Sequence, residues 1–264
     1  MAKINVLNNL PTEKVVIVTG GYGHLGRAIC ASLLKNGAIV YVAARDQNKF
    51  SDVFCEELKT LDHKLKFLDC DTSCSASIEN LFQVIYENEG KLDGLINNAF
   101  GVRGHSPFEM SRADFNYTLD RSLTSVFDVI KLALPYLGEG GSIVNVSSIY
   151  GIVAPDFTAY KNFTEYLNPP NYGAAKAGII QLSKYYASLL GERGIRVNSV
   201  SPGPFPNEFI QQNDNFMMEL KKRTLLGCYG FPEEIAGVFT FLMSDGAKFI
   251  TGQNFIVDGG WSVR

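Results

Sequence analysis

The fold is decided by the stretch Val15-Val16-Ile17-Val18-Thr19-Gly20-Gly21-Tyr22-Gly23-His24-Leu25-Gly26. Its first four residues are β-branched and predict a buried strand, and the run from Leu25 to Asn36 predicts a helix. Gly21, Gly23 and Gly26 between them fit the spacing G-x-G-x-x-G. Such glycines permit a tight turn, a close approach of the backbone to a pyrophosphate, and close packing of helix on strand.

A dinucleotide site is therefore the favoured interpretation of this turn, and an ordinary strand-to-helix connection is the alternative. The N-terminus of the following helix would direct unpaired N–H groups and the positive end of its dipole at the phosphates. The residues expected to bind a cofactor here are Gly20, Gly21, Gly23, His24, Leu25 and Gly26.

Apolar runs that predict strands alternate along the chain with longer patterns that predict helices. Strands are expected at 15–18, 39–43, 65–68, 94–97, 142–146, 196–200 and 255–257, and helices at 25–36, 48–61, 75–89, 114–137 and 172–190. No repeat or linker interrupts them, so the sequence predicts a single α/β domain over residues 1–264. The expected architecture is a doubly wound parallel sheet with helices on both faces and ligands at the carboxyl ends of its strands.

Net charge and cysteine spacing argue against several kinds of partner and site. A net charge of −3 gives no reason to expect nucleic acid or an anionic membrane as a partner. Five cysteines without a C-x-x-C pair argue against a disulfide framework or a zinc site. No secretory signal or membrane-spanning run is evident, so we expect a cytoplasmic protein that binds no metal.

The end of the second predicted strand bears on the choice of cofactor. Ala44 leaves room for a phosphate, and Arg45 can pair with the 2′-phosphate of NADP. NADP is therefore favoured. NAD remains the alternative, with Asp46 as the acceptor for the ribose 2′-hydroxyl, and a solvated Arg45–Asp46 pair is the plainest interpretation.

Tyr172 and Lys176 lie four residues apart on the long predicted helix and so share one face. A nearby ammonium favours the phenolate and is expected to lower the pKa of Tyr172, which would make it a general acid and base. Ser147 and Ser148 end the fifth predicted strand, where a hydroxyl can bind a carbonyl oxygen. Taken alone, a Y-x-x-x-K pair on a helix surface is common by chance.

Taken together, these residues resemble the short-chain dehydrogenase/reductase family over nearly the whole chain. The resemblance also includes Asn97-Asn98-Ala99, Ile195-Arg196-Val197-Asn198, Ser201-Pro202-Gly203, Ile250-Thr251-Gly252-Gln253 and Val257-Asp258-Gly259-Gly260. It implies a Rossmann-like domain with a seven-stranded parallel sheet. It also implies hydride transfer between NAD(P) and a carbonyl/alcohol pair on a small-molecule substrate, in a homotetramer or homodimer.

By this resemblance Ser148 positions the substrate oxygen, Tyr172 transfers the proton, and Lys176 holds the cofactor ribose and tunes Tyr172. Asp71 matches the acidic residue that holds the adenine ring. Further expected cofactor contacts come from Asn98, Tyr172, Lys176, Pro202 and Gly203.

The chain departs from the family pattern at four places. His24 stands where the middle glycine of the usual loop falls, and Phe100 replaces the glycine after Asn97-Asn98-Ala99. Ser122 occupies the place of the proton-relay asparagine, so it is a candidate catalytic residue whose hydroxyl can hold a water but cannot imitate an amide. The turn at 202–207 lacks the threonine that often contacts the nicotinamide amide.

The segment between Ser148 and Tyr172 is longer than in most family members. The insertion, 156–171, is rich in aromatic residues and is expected to border the active site, as a ligand contact or as packing. With Ser148-Ile149-Tyr150-Gly151 and the loop T-G-G-x-G-x-x-G, it gives a looser resemblance to a subgroup linked to flagellin modification and surface sugars. That resemblance implies a sugar, polyol or nucleotide-sugar substrate. The alternatives are a 3-ketoacyl reductase and a nucleotide-binding protein with weakened catalysis.

Overall fold

The computed structural model describes residues 13–61, 63–104 and 106–263. They contain one sheet of seven parallel strands in the order β3-β2-β1-β4-β5-β6-β7. The strands are β1 (Val15–Thr19), β2 (Ile39–Ala44), β3 (Leu65–Asp69), β4 (Leu92–Asn97), β5 (Leu137–Val146), β6 (Arg196–Pro202) and β7 (Asn254–Val257). The predicted seven-stranded parallel sheet is confirmed.

Ten α-helices connect and cover these strands in the described ranges. They are α1 (His24–Lys35), α2 (Gln47–Val53), α3 (Cys55–Leu61), α4 (Ser75–Glu89), α5 (Arg112–Leu119), α6 (Ser125–Ala133), α7 (Pro170–Leu190), α8 (Glu208–Gln211), α9 (Asp214–Arg223) and α10 (Pro232–Met243). Successive residues of β1 point to opposite faces of the sheet. Val16 and Val18 pack with α1 and α10, whereas Val15 and Ile17 pack with α4, α6 and α7. The sheet is therefore buried on both faces, as its continuous apolar strands predict.

Two predicted helices are divided in the structure. The segment 48–61 forms α2 and α3, which meet at the fully buried Phe54. The segment 114–137 forms α5, a π-helical turn at Asp120–Thr124, and α6. Helix α6 ends before Pro135, which lacks the N–H that a continuing helix requires.

No helix in the described ranges is long and apolar enough to cross a membrane. Within those same residues, no group of three or more His, Cys, Asp or Glu side chains is arranged to hold a metal ion.

A close contact between two backbones joins β5 to α7. The strand is followed by a 3₁₀ turn, Ile149–Gly151, which lies directly on α7. A Cβ on Gly151 would stand 2.7 Å from the carbonyl carbon of Lys176, and one on Gly173 would stand 2.9 Å from the carbonyl oxygen of Tyr150. Only glycine fits at either position without movement of a backbone segment.

We therefore expect Gly151→Ala to lower the free energy of unfolding by about 1–3 kcal/mol, because the added methyl group overpacks a backbone contact. The matched control is Gly237→Ala in the interior of α10, where an added Cβ meets no atom within 4 Å. That control should raise stability by up to about 1 kcal/mol through helix propensity. Urea denaturation measures both changes, and equal midpoints for Gly151→Ala and the unsubstituted protein would contradict the contact.

Candidate active site

A cleft of about 490 Å³ runs along the carboxyl edge of the sheet. The glycine loop after β1 and the ends of β2, β4, β5 and β6 form its walls. All of the residues expected to bind a cofactor line the cleft except Gly21 and Gly26, which lie beneath it in the loop. A cleft at this edge is where doubly wound sheets bind nucleotides.

The glycine loop is held in shape by two glycines and by Asn98. Gly20 has a φ of +62°, which side chains rarely adopt, and a Cβ on Gly26 would lie 2.6 Å from the carbonyl oxygen of Gly20. Asn98 Nδ2 donates to the carbonyl oxygens of Thr19 and Gly20, each at 3.0 Å. Asn98 therefore supports the loop directly, in addition to lining the cleft.

Arg45 and Asp46, the two candidate determinants of cofactor choice, have different surroundings at the end of β2. Arg45 is exposed and lines the cleft. Asp46 is the N-cap of α2, and its carboxylate accepts a hydrogen bond from the backbone N–H of Lys49 at 3.0 Å. Lys49 Nζ lies 5.3 Å from the ring centroid of Tyr22, which also lines the cleft. The local charge therefore favours an anionic ligand group.

The carboxylate of Asp71 is already bound by two side chains. Arg121 donates to its two oxygens at 2.9 and 3.2 Å, and Ser73 donates to it from its backbone N–H and its hydroxyl. Although burial works in the opposite direction, these donors hold the pKa of Asp71 below its usual value. Asp71 lines the cleft as expected, and Arg121 beside it is a cleft residue that the sequence did not indicate.

The proposed catalytic side chains meet where β5 ends and α7 begins. Ser148 follows β5, and its Oγ accepts a hydrogen bond from the backbone N–H of Tyr150 at 3.2 Å. Tyr172 lies in the first turn of α7 and is hydrogen-bonded to Ser148. Lys176 lies one turn later, and its Nζ donates to the carbonyl oxygen of Val146 at 2.8 Å.

Burial has the largest effect on the pKa values of Tyr172 and Lys176. It raises the pKa of Tyr172, although the hydrogen bond with Ser148 works in the opposite direction. It lowers the pKa of Lys176 to about 7, and no carboxylate among the described residues offsets that effect. The sequence predicts a lowered pKa for Tyr172, whereas the pKa is raised in this structure, because burial of the phenol outweighs the hydrogen bond with Ser148.

Phe100 covers the catalytic pair from the cleft side. Its ring centroid lies 6.2 Å from that of Tyr172 in an edge-to-face arrangement, and 5.1 Å from Lys176 Nζ. The ring is 59% exposed, so only one side of it is packed. The residue that replaces the family's glycine is thus an aromatic cover over Lys176.

Ser122 lies in the π-helical turn, completely buried, and does not line the cleft. Its Oγ donates to the carbonyl oxygen of Gly101 at 2.8 Å and accepts from the backbone N–H of Gly101 at 3.2 Å. The hydroxyl therefore holds the chain after β4, and a catalytic role for it stays a prediction. π-helical turns recur at functional sites in proteins.

The turn after β6 closes the far wall of the cleft. Gly203 packs so tightly that a Cβ would lie 2.5 Å from Cα of Asp258. Pro202 ends β6 beside it. His24 approaches the backbone of Phe205 across the cleft, and burial lowers the pKa of its imidazole, so it is neutral at pH 7.

A second, smaller pocket of about 150 Å³ opens beside Ser148 and Tyr172. The insertion contributes Tyr160, Tyr166 and Asn168 to its wall. The Tyr166 ring stacks on Phe216 of α9 with centroids 4.6 Å apart. The insertion and the segment after β6 thus enclose this pocket together.

Trp261 also lines the second pocket and was not foreseen. Its position directly after Val257-Asp258-Gly259-Gly260, a stretch that belongs to the family pattern, is the sequence feature that could have indicated a place near the site.

Comparison with known proteins agrees with this geometry. The family model described as enoyl-(acyl carrier protein) reductase matches residues 23–262. The chain is 32% identical over 252 residues to a 3-oxoacyl-acyl-carrier-protein reductase of Thermotoga maritima, covering 94% of this chain and 97% of that one. It is 30% identical over 261 residues to the 7alpha-hydroxysteroid dehydrogenase of Bacteroides fragilis, covering 96% and 95%.

Among solved structures, the NADP active-site complex of RhlG from Pseudomonas aeruginosa superposes with a TM-score of 0.86. The identity is 26%, and the match covers 98% of this chain and 100% of that one. The sheet, the position of the cleft and these relatives lead to one conclusion. The chain belongs to the short-chain dehydrogenase/reductase family, whose members are NAD(P)-dependent oxidoreductases.

Proposed function

We propose that this protein is an NADP(H)-dependent oxidoreductase acting on a carbonyl/alcohol pair of a hydroxylated substrate such as a sugar or polyol. The observation that carries the proposal is the meeting of Ser148 and Tyr172 at the junction of the cleft and the second pocket, with Lys176 in the cleft wall. Ser148 and Tyr172 each line both the cleft and the second pocket. A substrate oxygen bound there is next to the cofactor cleft.

The residues of the cleft fit a dinucleotide. Gly20 and Gly23 line the cleft without side chains, so the backbone of the glycine loop is open to a ligand. The loop is compact because Gly26 packs against Gly20 at a distance that leaves no room for a Cβ. The N-terminus of α1, at His24, follows immediately and favours phosphate. Lys176 would hold the nicotinamide ribose, and the loop would hold the pyrophosphate. When bound, NADP(H) supplies or accepts the hydride.

The chain's own groups handle the proton. Ser148 Oγ donates a hydrogen bond to the substrate carbonyl oxygen, which increases the electrophilicity of its carbon. The Tyr172 hydroxyl gives its proton to that oxygen as negative charge develops there, and takes the proton back in alcohol oxidation. The ammonium of Lys176, 5.7 Å from the Tyr172 ring centroid, stabilises the phenolate that remains.

NADP is proposed over NAD because the arrangement at the end of β2 supports it. The Arg45 guanidinium is exposed at the cleft and suits bidentate binding of a phosphate. The Asp46 carboxylate already caps α2, which leaves it less available to a ribose hydroxyl.

A 3-ketoacyl reductase is the second candidate function. Its support is the 32% identity to the Thermotoga maritima reductase over most of both chains. Turnover of an acetoacetyl thioester, compared with that of neutral hydroxyketones, separates the two candidates.

Tyr172→Phe should reduce kcat for carbonyl reduction by about a thousandfold, because it removes the group that gives the proton. Calorimetry should show NADPH binding largely retained. Tyr185→Phe, an exposed position on the same helix, is the matched control and should leave kcat unchanged. Undiminished turnover of a confirmed substrate by Tyr172→Phe would refute the acid/base assignment.

Arg45→Ala should weaken NADP binding by about 10–100-fold, the value of a charge-assisted hydrogen bond, and NAD binding by less than about threefold. The comparison requires dissociation constants for both cofactors by calorimetry. Arg27→Ala on the exposed surface of α1 serves as the control for loss of a nearby positive charge. Equal losses for NADP and NAD would contradict the assignment.

Lys176 should reduce the stability of the protein near neutral pH, since its pKa is lowered from 10.5 to about 7. The unfolded chain binds more protons than the folded protein between these values, so stability rises with pH across that window. The difference in unfolding free energy between Lys176→Met and the unsubstituted protein should therefore shrink by about 2.7 kcal/mol from pH 6 to pH 9. Urea denaturation at the two pH values measures it, and a constant difference would show that Lys176 ionises normally.

A further inference from the structure

The second pocket has an uncharged interior. None of the described residues that line it is Asp, Glu, Lys, Arg or His. Its walls include Ile210, Phe216, Leu220 and Trp261. A phosphate or carboxylate placed there would lose its hydration without gaining a cationic partner, which is costly.

Arg223, a cation whose charge acts on Tyr160 of the pocket, is already paired. The positive charge of Arg223 acts to lower the pKa of Tyr160, in opposition to burial, so this charge acts on the pocket wall. Its Nε donates to Asp156 at 2.8 Å and its Nη1 donates to Glu219 at 2.6 Å. Because Arg223 is neutralised by two carboxylates and does not line the pocket, it does not serve as an anion site there.

The polar groups of the pocket are hydroxyls and one amide. Tyr150 and Tyr160 share a hydrogen bond between their two hydroxyl groups, and both residues line the pocket. Burial raises the pKa of each phenol, so both stay protonated at neutral pH. One of the two hydroxyl protons is used within the pair, which leaves one proton to donate. Asn168, at the pocket wall, hydrogen-bonds Tyr160 and carries both donor and acceptor groups.

The pocket thus provides two polar centres separated by apolar walls. The first is Ser148 with Tyr172, which binds the reacting oxygen. The second is the Tyr150–Tyr160 hydroxyl pair with Asn168. The residues of both centres line the same pocket of about 150 Å³. A compact ligand can therefore reach both centres at once.

We propose that the Tyr150–Tyr160 pair binds a second oxygen of the substrate, and that the substrate is an uncharged, compact hydroxyketone or the corresponding diol. This assignment rests on the proposed oxidoreductase function and narrows its substrate class. A hydroxyl suits this centre because it accepts the remaining tyrosine proton and can donate to the Asn168 amide. The aromatic walls suit a ring or short carbon chain between the two oxygens, and a nucleotide sugar does not fit because it brings phosphates into an uncharged pocket.

The test compares NADPH-dependent reduction of two matched pairs of ketones. One pair is 2-hydroxycyclohexanone and cyclohexanone, and the other is dihydroxyacetone and dihydroxyacetone phosphate. We expect kcat/KM to be at least about tenfold higher for the first member of each pair. Cyclohexanone lacks the hydroxyl and leaves the polar groups of the site unpaired. Dihydroxyacetone phosphate brings a charged group into a pocket whose described lining has no cation.

Tyr160→Phe should remove most of the preference for 2-hydroxycyclohexanone over cyclohexanone, because it deletes one hydroxyl of the pair. Tyr150→Phe deletes the other and should act in the same direction, so a folding failure of one variant leaves the other to decide. Tyr185→Phe should keep the preference. Circular dichroism confirms that each variant is folded.

Three results overturn the substrate proposal: equal kcat/KM within both pairs, preference for the phosphorylated ketone, or an undiminished hydroxyl preference in both Phe variants. Reduction of acetoacetyl thioester alone would overturn it and leave the oxidoreductase function standing. Absence of turnover for every carbonyl, with NADPH bound, would instead refute the proposed function itself.

Discussion

The contact on which the active site depends is the approach of one backbone to another between the turn at Ile149–Gly151 and α7. Glycines at 151 and 173 let the two segments touch. Ser148 precedes that turn, and Tyr172 and Lys176 lie on the contacted part of the helix. The distance between the Ser148 hydroxyl and the Tyr172 phenol is thereby constrained by the main-chain contact between the two segments. The hydroxyl of Ser147 strengthens the contact by donating to the carbonyl oxygen of Lys176 at 2.7 Å.

That arrangement buries the ammonium group of Lys176 in surroundings that disfavour its positive charge. Lys176 is 2% exposed, and within the described residues its Nζ has one hydrogen bond, to a carbonyl oxygen, besides the rings of Phe100 and Tyr172. A buried amine without a carboxylate partner loses hydration that one neutral hydrogen bond does not restore. Such a group is characteristic of sites where stability is reduced in favour of chemistry.

Local sequence patterns predicted the sheet and the helical segments from α1 to α7, because apolar periodicity records which face of each element is buried. They did not predict α8, α9 or α10. They failed at Phe54 and at the π-helical turn, where tertiary packing decides the local conformation. Candidate cleft residues followed from motif spacing. The partners of those residues did not, since Asp71 with Arg121 and Ser122 with Gly101 are pairs distant in sequence. The hydroxyl pair of Tyr150 and Tyr160 likewise required the path of the insertion, which no local pattern specifies.

The insertion begins and ends near Gly151 and Gly173, the two glycines of the backbone contact, and it lies between the proposed catalytic residues Ser148 and Tyr172 in the sequence. Its ends are therefore fixed in space, while its middle packs mainly against α9 through rings such as Tyr166 and Phe216. Substitutions within 156–168 can reshape the pocket without changing the separation of Ser148 and Tyr172. Selectivity and reactivity are thus open to separate evolutionary change in this protein, and libraries that target substrate scope are best confined to that segment and to the face of α9 that it covers.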